Sequence, residues 1–517
     1  MERAPDVRLP TDAEPVAKRL PEDEVPCFSI RAIHLDDPTG QFGWALAAVD
    51  LPDDPAIGRC LGSIGINRVL TRIQNAIVAR GYVTTRVLAE AQDLTGGELR
   101  LILVPGRIRS IRFADDSDPR VTVWNALPAS PGDLLNLRDL EQALENWKRV
   151  PTAEADIRIE PGDAPGESDL VIAWKQAFPL RLTLSANDGG SRTTGKYLGS
   201  VTVSGDHLLA LNDLFYASYN HDLGGGQAGD RGTYGHTLHY ALPFGYWGLS
   251  ATSSRNRYHQ TVAGASQDYV YSGTSENSEI KLSRLIYRNA AHKSTLSLRG
   301  YLNTYQNYID DTEIGVQRRR MAGWEAGFNH RAFLGDATLD LGLAYRRGTG
   351  AFDALEAPEE AFDEGTARPR IVTSDATLNL PFHLFGHKLR YLGQWRAQWN
   401  RTPLVPQDRF SIGGRYTVRG FDGESLLMAE RGYLLRNELA LPLGASGQEL
   451  YWGLDHGRVG GASADLLVGR QLTGTVLGLR GAWKQLTYDL FAGRPVSRPD
   501  GFQTPRTTAG FNLTLNF

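Results

Sequence analysis

The chain is expected to fold as two small α+β modules in tandem, each β-α-α-β-β, followed by a 16-stranded antiparallel transmembrane β-barrel. Three observations predict this. The hydrophobic period changes from 3.6 to 2 near residues 175–179. Aromatic content changes at the same place: 8 of the 48 Phe, Tyr and Trp residues lie in 1–175 and 40 in 176–517. The second part divides into sixteen alternating stretches, and no apolar run reaches the ~18 residues of a membrane helix. Helical spans are thereby excluded, whereas a spanning barrel, whose strands alternate, is not.

Residues 1–25 read as a flexible polar arm with Pro5, Pro10, Pro15 and Pro21, where only Val16–Leu20 has a helical pattern. The first module covers 26–105. A strand is expected from Phe28 to Leu35, then Phe42, Leu46 and Val49 at helical spacing. Ile66, Val69, Leu70, Ile73 and Ile77 define an amphipathic helix that Gly81 closes. Strands follow at Val83–Val87 and Leu99–Leu103. The second module, 106–178, repeats the order: a strand at Ile108–Phe113, a short helix at Val121–Leu127, and a helix carrying Leu137, Leu140, Leu144 and Trp147. Asn136 stands there as N-cap and Asp139 three residues on. Strands around Ile157–Ile159 and Leu170–Trp174 close it.

The barrel covers 179–517. Its segments begin near Leu180, Tyr197, Asn212, Thr233, Tyr246, Asn277, Lys293, Met321, Asp336, Arg370, Lys388, Glu430, Glu449, Thr473, Lys484 and Thr507. Leu339, Leu341 and Leu343 alternating with Asp340, Gly342 and Ala344 show the pattern. About 21 residues per strand and connection leave room for the ~9–11 that span a bilayer. An even strand count fits closure, with the apolar row facing lipid and the polar row lining a wet lumen.

Composition narrows function. With 55 Lys and Arg against 59 Asp and Glu, the net charge of −4 offers no basic field for nucleic acid. Met1 is followed by charged and Pro-rich residues without an apolar core, so either the chain is cytoplasmic or a targeting segment has been removed. Cys27 and Cys60, the two cysteines, cannot make a four-thiolate zinc site. In an oxidising compartment they would staple strand to helix; in a reducing one they would be two buried thiols. Gly190–Lys196 matches the start of a phosphate loop but continues with Tyr197 into a strand, so it reads as a hairpin turn. Gly224, Gly226 and Gly229 lie between strands and read as a loop, not a dinucleotide fingerprint. Asp115, Asp116 and Asp118 read as a solvated turn, and Arg318–Arg320 as a strand end. HExxH, GxSxG and paired CxxC motifs are absent. No enzyme, cofactor or metal is expected.

The longest connection, 401–429, lies between the strands at Lys388 and Glu430. Loops of this length are usually functional or disordered. This one carries Tyr416-Thr417-Val418-Arg419-Gly420-Phe421. With that motif the chain resembles the outer-membrane transporters of two-partner secretion: the haemolysin, filamentous haemagglutinin and contact-dependent inhibition exporters of the Omp85 superfamily. Pro26-Cys27-Phe28, Gly81–Arg86 and Gln92-Asp93-Leu94 resemble that family's first POTRA domain. Leu134–Gln142, Pro161-Gly162 and Gly166–Asp169 resemble its second, and Tyr258–Val262 and the terminal Phe517 its barrel.

The resemblance implies that the loop folds into the lumen with Val418, Arg419, Gly420 and Phe421 at its tip. Arg419 would pair with Asp455 of Gly453-Leu454-Asp455-His456-Gly457, with Gly457 in the same motif. Phe517 would be the C-terminal signal read by the barrel-assembly machinery during insertion into outer-membrane lipid. The partner would be a large secreted exoprotein, caught by its N-terminal secretion domain on POTRA domains in the periplasm and exported without ATP. Residues 1–25 are shorter and richer in Pro than the plug helix and linker with which related transporters often begin, so no plug is carried over. The alternative is a barrel-assembly factor of the same superfamily; a plain porin would not need the 175-residue periplasmic part.

Overall fold

The computed structural model describes residues 5–10 and 19–517. In the first module, Ala32–Asp36 pairs parallel with Glu98–Val104, which pairs antiparallel with Arg86–Leu88. Helix α1 (Ser63–Ala79) lays Val69, Ile73 and Ile77, all fully buried, on Leu99, Leu101 and Leu103. Gly81 has φ +99°, and a Cβ there would lie 2.3 Å from Asn136 Oδ1. This glycine therefore ends α1 and admits the start of the second module's helix at once.

Three local expectations for this module are corrected. The strand expected over Phe28–Leu35 is two pieces, Phe28–Ser29 and Ala32–Asp36, which join different sheets. The turn of helix at Phe42–Val49 is a 3-10 helix, Gly43–Ala48. The strand expected from Val83 begins only at Arg86. Thr85 Oγ1 accepts from Gly106 N at 3.0 Å, and the Gln74 amide takes the Thr85 carbonyl and the Val87 N–H, so side chains occupy the positions of a longer ladder.

The second module places Arg107–Phe113, Glu167–Gln176 and Ala153–Pro161 in one sheet under helix α2 (Leu137–Lys148). Asn136 caps α2 by accepting from Arg138 N at 2.9 Å. Trp147 and Trp174 are fully buried in its core. The helix expected at Val121–Leu127 is reduced to a single turn, in which the Ala126 and Leu127 N–H groups both donate to the Val123 carbonyl at 2.9 Å. Pro119 and Pro128 bracket that segment, and the Thr122 carbonyl accepts from Trp147 Nε1 and Asn212 Nδ2, both at 2.9 Å, instead of closing a helical turn. This segment docks on the barrel: Asn125 Nδ2 donates to the Leu211 carbonyl at 2.6 Å, and Gly245 N donates to the Asn125 carbonyl.

The barrel is a closed antiparallel sheet of sixteen strands. They are β1 Leu180–Asn187, β2 Leu198–Asp206, β3 Leu214–Asp222, β4 Arg231–Phe244, β5 Trp247–Ala263, β6 Asp268–Arg288, β7 His292–Ile309 and β8 Arg319–Leu334. The second half is β9 Ala337–Thr349, β10 Arg370–Leu384, β11 His387–Asn400, β12 Arg431–Pro442, β13 Glu449–Gly460, β14 Gln471–Trp483, β15 Leu486–Ser497 and β16 Thr508–Asn516. β6 starts at Asp268, well before Asn277; in its first residues the row of Ile280 and Leu282 continues as Ser272, Thr274 and Glu276, so the apolar alternation that marks the rest of the strand is missing there. That belt is visible on the outer face, where Val201, Val203, Leu249, Ile280, Leu298, Leu341, Leu343 and Leu477 are exposed. An apolar surface of this extent is stable only against lipid. Strand lengths are uneven: β5, β6 and β7 have 17, 21 and 18 residues, β1 and β16 have 8 and 9. β1 meets β16 over Thr183–Asn187 and Asn512–Asn516.

The flexible-arm expectation is also corrected for the described residues. Leu20 is buried, its N–H held by Asp54 Oδ2 at 2.9 Å. Residues 5–10 lie between α2 and the periplasmic mouth of the barrel, with Val7 and Leu9 packed on the second module's core. The helical pattern at Val16–Leu20 lies mostly outside the described residues. Asp6 pairs with Lys293 at 3.0 Å and Arg331 at 2.6 Å. Burial pushes its carboxyl up, but these two cations draw it below the ordinary Asp value.

Trp147→Ala is expected to destabilise the second module by about 3–5 kcal/mol through lost burial and cavity formation. Backbone hydrogen exchange along Ala153–Pro161 reads it; exchange as slow as in the unaltered protein would contradict the packing described.

Candidate functional site

The connection between β11 and β12 leaves the rim and turns into the lumen. Gln398 of β11 draws its ends together, its amide donating to the Asp408 carbonyl at 2.8 Å and the Glu430 carbonyl at 3.2 Å. Phe410–Ile412 and Leu427–Ala429 pair as a short hairpin. The alternation of Phe410 and Ile412 gives this hairpin an apolar face. With Val418, Phe421 and Leu427 it forms a buried cluster on Leu434, Val459, Leu472 and Phe502 of the barrel. The rings of Phe421 and Phe502 meet edge to face at 5.7 Å.

The wall beneath the tip lacks side chains where the loop backbone comes closest. A Cβ on Gly474 would lie 2.0 Å from the Arg419 carbonyl oxygen. One on Gly457 would lie 2.9 Å from Ile412 Cγ2 and 3.0 Å from Val418 Cγ2. Gly420 itself has φ +100°, a backbone conformation open to glycine, and a Cβ there would lie 2.5 Å from the Arg494 carbonyl oxygen, so the residue after Arg419 also sits directly on the wall.

This descent delivers Arg419 to Asp455 of β13. Arg419 Nε donates to Asp455 Oδ2 at 2.7 Å and Nη2 donates to Oδ1 at 2.8 Å. The Arg419 N–H donates to Oδ2 at 3.0 Å. Asp455 has no solvent exposure, so guanidinium and backbone together replace its water. The third nitrogen, Nη1, donates to Glu438 Oε2 of β12 at 2.6 Å. Glu438 accepts in turn from Arg480 of β14 at 2.7 Å, and Arg480 donates to Glu449 at 2.9 Å. Arg390 of β11 also holds Glu449, at 2.6 Å. Arg436 Nε lies 3.7 Å from Asp455. The loop arginine is thus the end of an alternating-charge chain across four adjacent strands, β11 to β14.

A second anchor lies at the loop's outer elbow. Arg415 Nη1 donates to Asp188 at 2.7 Å, Nη2 donates to the Phe511 carbonyl at 3.2 Å, and Asp188 accepts from Phe511 N at 2.9 Å. The elbow therefore touches both sides of the junction between β1 and β16.

Val418, Arg419, Gly420, Phe421, Asp455 and Gly457 are brought together by this geometry. Glu438, Arg480, Arg415 and Asp188 are site residues that sequence reasoning missed. Glu438 and Arg480 carried a signal, being charges on the inward row of alternating strands. The other singled-out residues lie elsewhere. Cys27 and Cys60 are joined in a disulfide that ties Phe28–Ser29 to Cys60–Leu61. Phe517 is exposed at the end of β16, its backbone exchanging hydrogen bonds with Leu182. Asp116 pairs with Lys175 at 2.6 Å. Among the described residues, no group of three or more His, Cys, Asp or Glu converges as a metal site.

Asp455→Asn removes the charge facing Arg419 and is expected to weaken the loop's anchoring by about 3–5 kcal/mol. Gly474→Ala should loosen the same contact by steric conflict. A nitroxide at position 426, on the loop's exposed side, should gain mobility in both variants; an unchanged spectrum would show that the ion pair does not hold the loop.

Comparison with known proteins agrees with this architecture. Residues 166–481 match the family described as haemolysin secretion/activation protein ShlB/FhaC/HecB. Residues 30–106 match the POTRA domain of ShlB type, and 107–161 match a POTRA domain. The outer membrane transporter CdiB-2 of Burkholderia pseudomallei (strain 1026b) is 38% identical over 534 residues, covering 100% of this chain and 90% of that protein. The outer membrane transporter CdiB of Dickeya dadantii (strain 3937) is 27% identical, over 95% of this chain and 87% of its own. The solved structure of CdiB from Acinetobacter baumannii superposes with a TM-score of 0.87 at 29% identity, covering 99% of this chain and 95% of that one. Two POTRA domains ahead of a sixteen-stranded barrel, matched over most of the chain, make this protein a member of the ShlB/FhaC/HecB family of haemolysin secretion/activation proteins.

Proposed function

We propose that this protein is the outer-membrane transporter of a two-partner secretion pathway, carrying a large, β-rich exoprotein from the periplasm to the cell surface. The observation that carries the reading is the polar, charge-lined lumen occupied by one in-folded loop, directly above two POTRA domains at the periplasmic mouth. A barrel meant for free diffusion has no use for those domains.

The sheet of the second POTRA domain has an open edge at Ala153–Pro161. An unfolded passenger can add a strand to such an edge, its main chain giving affinity and alternate side chains giving selectivity. The lumen then supplies polar partners: Arg299 of β7 lies between Glu279 and Glu325, at 2.8 Å from each. An extended chain passing there keeps its peptide groups away from lipid. Nothing in the pathway consumes ATP; folding of the passenger outside supplies the driving force. The loop must leave its seat for the chain to pass. Charge-assisted hydrogen bonds suit this, since they fix one geometry and exchange for water once the lumen is wet.

Secretion of a co-expressed two-partner exoprotein tests the reading, with outer-membrane levels matched. The wild type should deliver passenger to the surface or medium, and Arg419→Ala should lose most of that export. Exchanging the charges, Arg419→Asp with Asp455→Arg, should not restore it, because the new Asp would face Glu438 with no cation between them. Passenger held in the periplasm by the wild type, with other barrels lost on depletion, would instead favour the assembly-factor alternative.

A further inference from the structure

The arm at the barrel mouth is held by its backbone. Val7 N–H donates to Glu145 Oε1 at 2.9 Å, and Leu9 N–H donates to Glu141 Oε1 at 2.8 Å. The Val7 carbonyl accepts from Arg288 Nη2 at 2.6 Å. One residue's N–H and C=O and the N–H two residues on are the groups that a neighbouring β-strand engages along one edge. Here two carboxylates of α2 and one guanidinium of β6 take the place of that strand.

The receptor is built without the arm's side chains. Arg288 is nearly inaccessible, its side chain 3% exposed. Its Nε donates to Glu141 Oε2 and its Nη1 to Glu145 Oε2, both at 2.9 Å. Arg138 fixes Glu141 from the other side at 2.6 Å. The arm's side chains alternate around this spine. Val7 and Leu9 face the second module's core, Asp6 faces Lys293 and Arg331, and the Arg8 guanidinium lies 4.4 Å from the centre of the Phe333 ring. Beside the segment opens a cavity of about 630 Å³, lined by Pro5, Asp6, Glu145, Lys293, Tyr246 and Arg331.

We infer that Glu141, Glu145 and Arg288 form a site that reads the backbone of an extended, alternating polypeptide at the entrance to the barrel, and that residues 6–9 fill it in place of the passenger. This rests on the export reading above. A passenger segment entering the lumen displaces the arm and takes the same three hydrogen bonds. The site therefore accepts many sequences of one pattern, apolar residues at i and i+2, as a β-rich chain in transit presents.

The test uses the whole protein in lipid nanodiscs, with and without residues 1–10, and a fluorescein-labelled synthetic peptide, Pro-Asp-Val-Arg-Leu-Pro. A second peptide keeps the alternation with different apolar and polar residues, and a third carries N-methyl groups on the two apolar residues. Fluorescence anisotropy should show both unmethylated peptides binding the shortened protein with affinities alike to within a few fold. N-methylation should weaken binding about a hundredfold or more, the scale of two lost charge-assisted hydrogen bonds. The protein with its arm should bind about tenfold more weakly than the shortened one, through competition at the same contacts. Equal binding of the methylated peptide, absence of binding to the shortened protein, or equal binding with the arm present would each overturn the inference. Because the methylated and unmethylated peptides meet the same protein, misfolding cannot produce the difference. Peptide binding without passenger secretion would leave this site standing and remove the export reading; secretion without peptide binding would do the reverse.

Discussion

A carboxylate sealed inside a barrel wall requires a cation, and the organisation of the lumen follows from that requirement. Asp455 has no access to water, and no strand neighbour approaches it as closely as the loop's Arg419 does. The loop must therefore descend far enough to deliver a guanidinium. The descent requires a floor free of side chains at Gly457 and Gly474, and an apolar face on the Phe410–Ile412 hairpin to bury on the way. Removing one member of a buried pair leaves a charge that neither water nor neighbour satisfies, at a cost of several kcal/mol. Glu438, Arg480, Glu449 and Arg390 pass the same requirement from strand to strand until it reaches solvated surface.

At the periplasmic end neutral groups add to the ion pairs of α2. The turns between β2 and β3 and between β4 and β5 expose carbonyls that need donors. Asn125, Asn146 and Asn212 supply and share them: Asn146 Nδ2 reaches the Gly245 carbonyl at 2.9 Å, and Asn212 Nδ2 reaches Asn125 Oδ1 at 2.7 Å. Buried amides fix orientation, because each has donors and acceptors on fixed sides. The second POTRA domain is thus seated on the barrel in one rotation, and the mouth of the lumen is walled on one side by α2.

How much of this could be read from sequence depends on the range of the forces involved. The barrel was legible because lipid outside and water inside impose period 2 on every strand; Leu341 and Leu343 report that directly. Helices α1 and α2 were legible from Ile73, Ile77, Leu140 and Leu144, which repeat at 3.6. The segment at Val121–Leu127 stops after one turn because the Thr122 carbonyl is claimed by Trp147 and Asn212 from other parts of the chain, which its apolar spacing does not reveal. The loop motif pointed to Arg419, and the family resemblance to Asp455. Glu438 stayed hidden because alternation says which face a side chain occupies, not which strands the register brings alongside. The arm at Asp6–Leu9 was illegible for a related reason: its hold is on backbone groups, which every sequence has.

The unequal strands have a geometrical consequence at the cell surface. At ~3.3 Å per residue, β6 is roughly 70 Å of chain, while β1 and β16 are under about 30 Å. The rim is therefore a slanted spout, tall along β5–β7 and cut low where β1 meets β16. A chain leaving the lumen therefore keeps strand beside it for longer on the β5–β7 side than at the seam of β1 and β16.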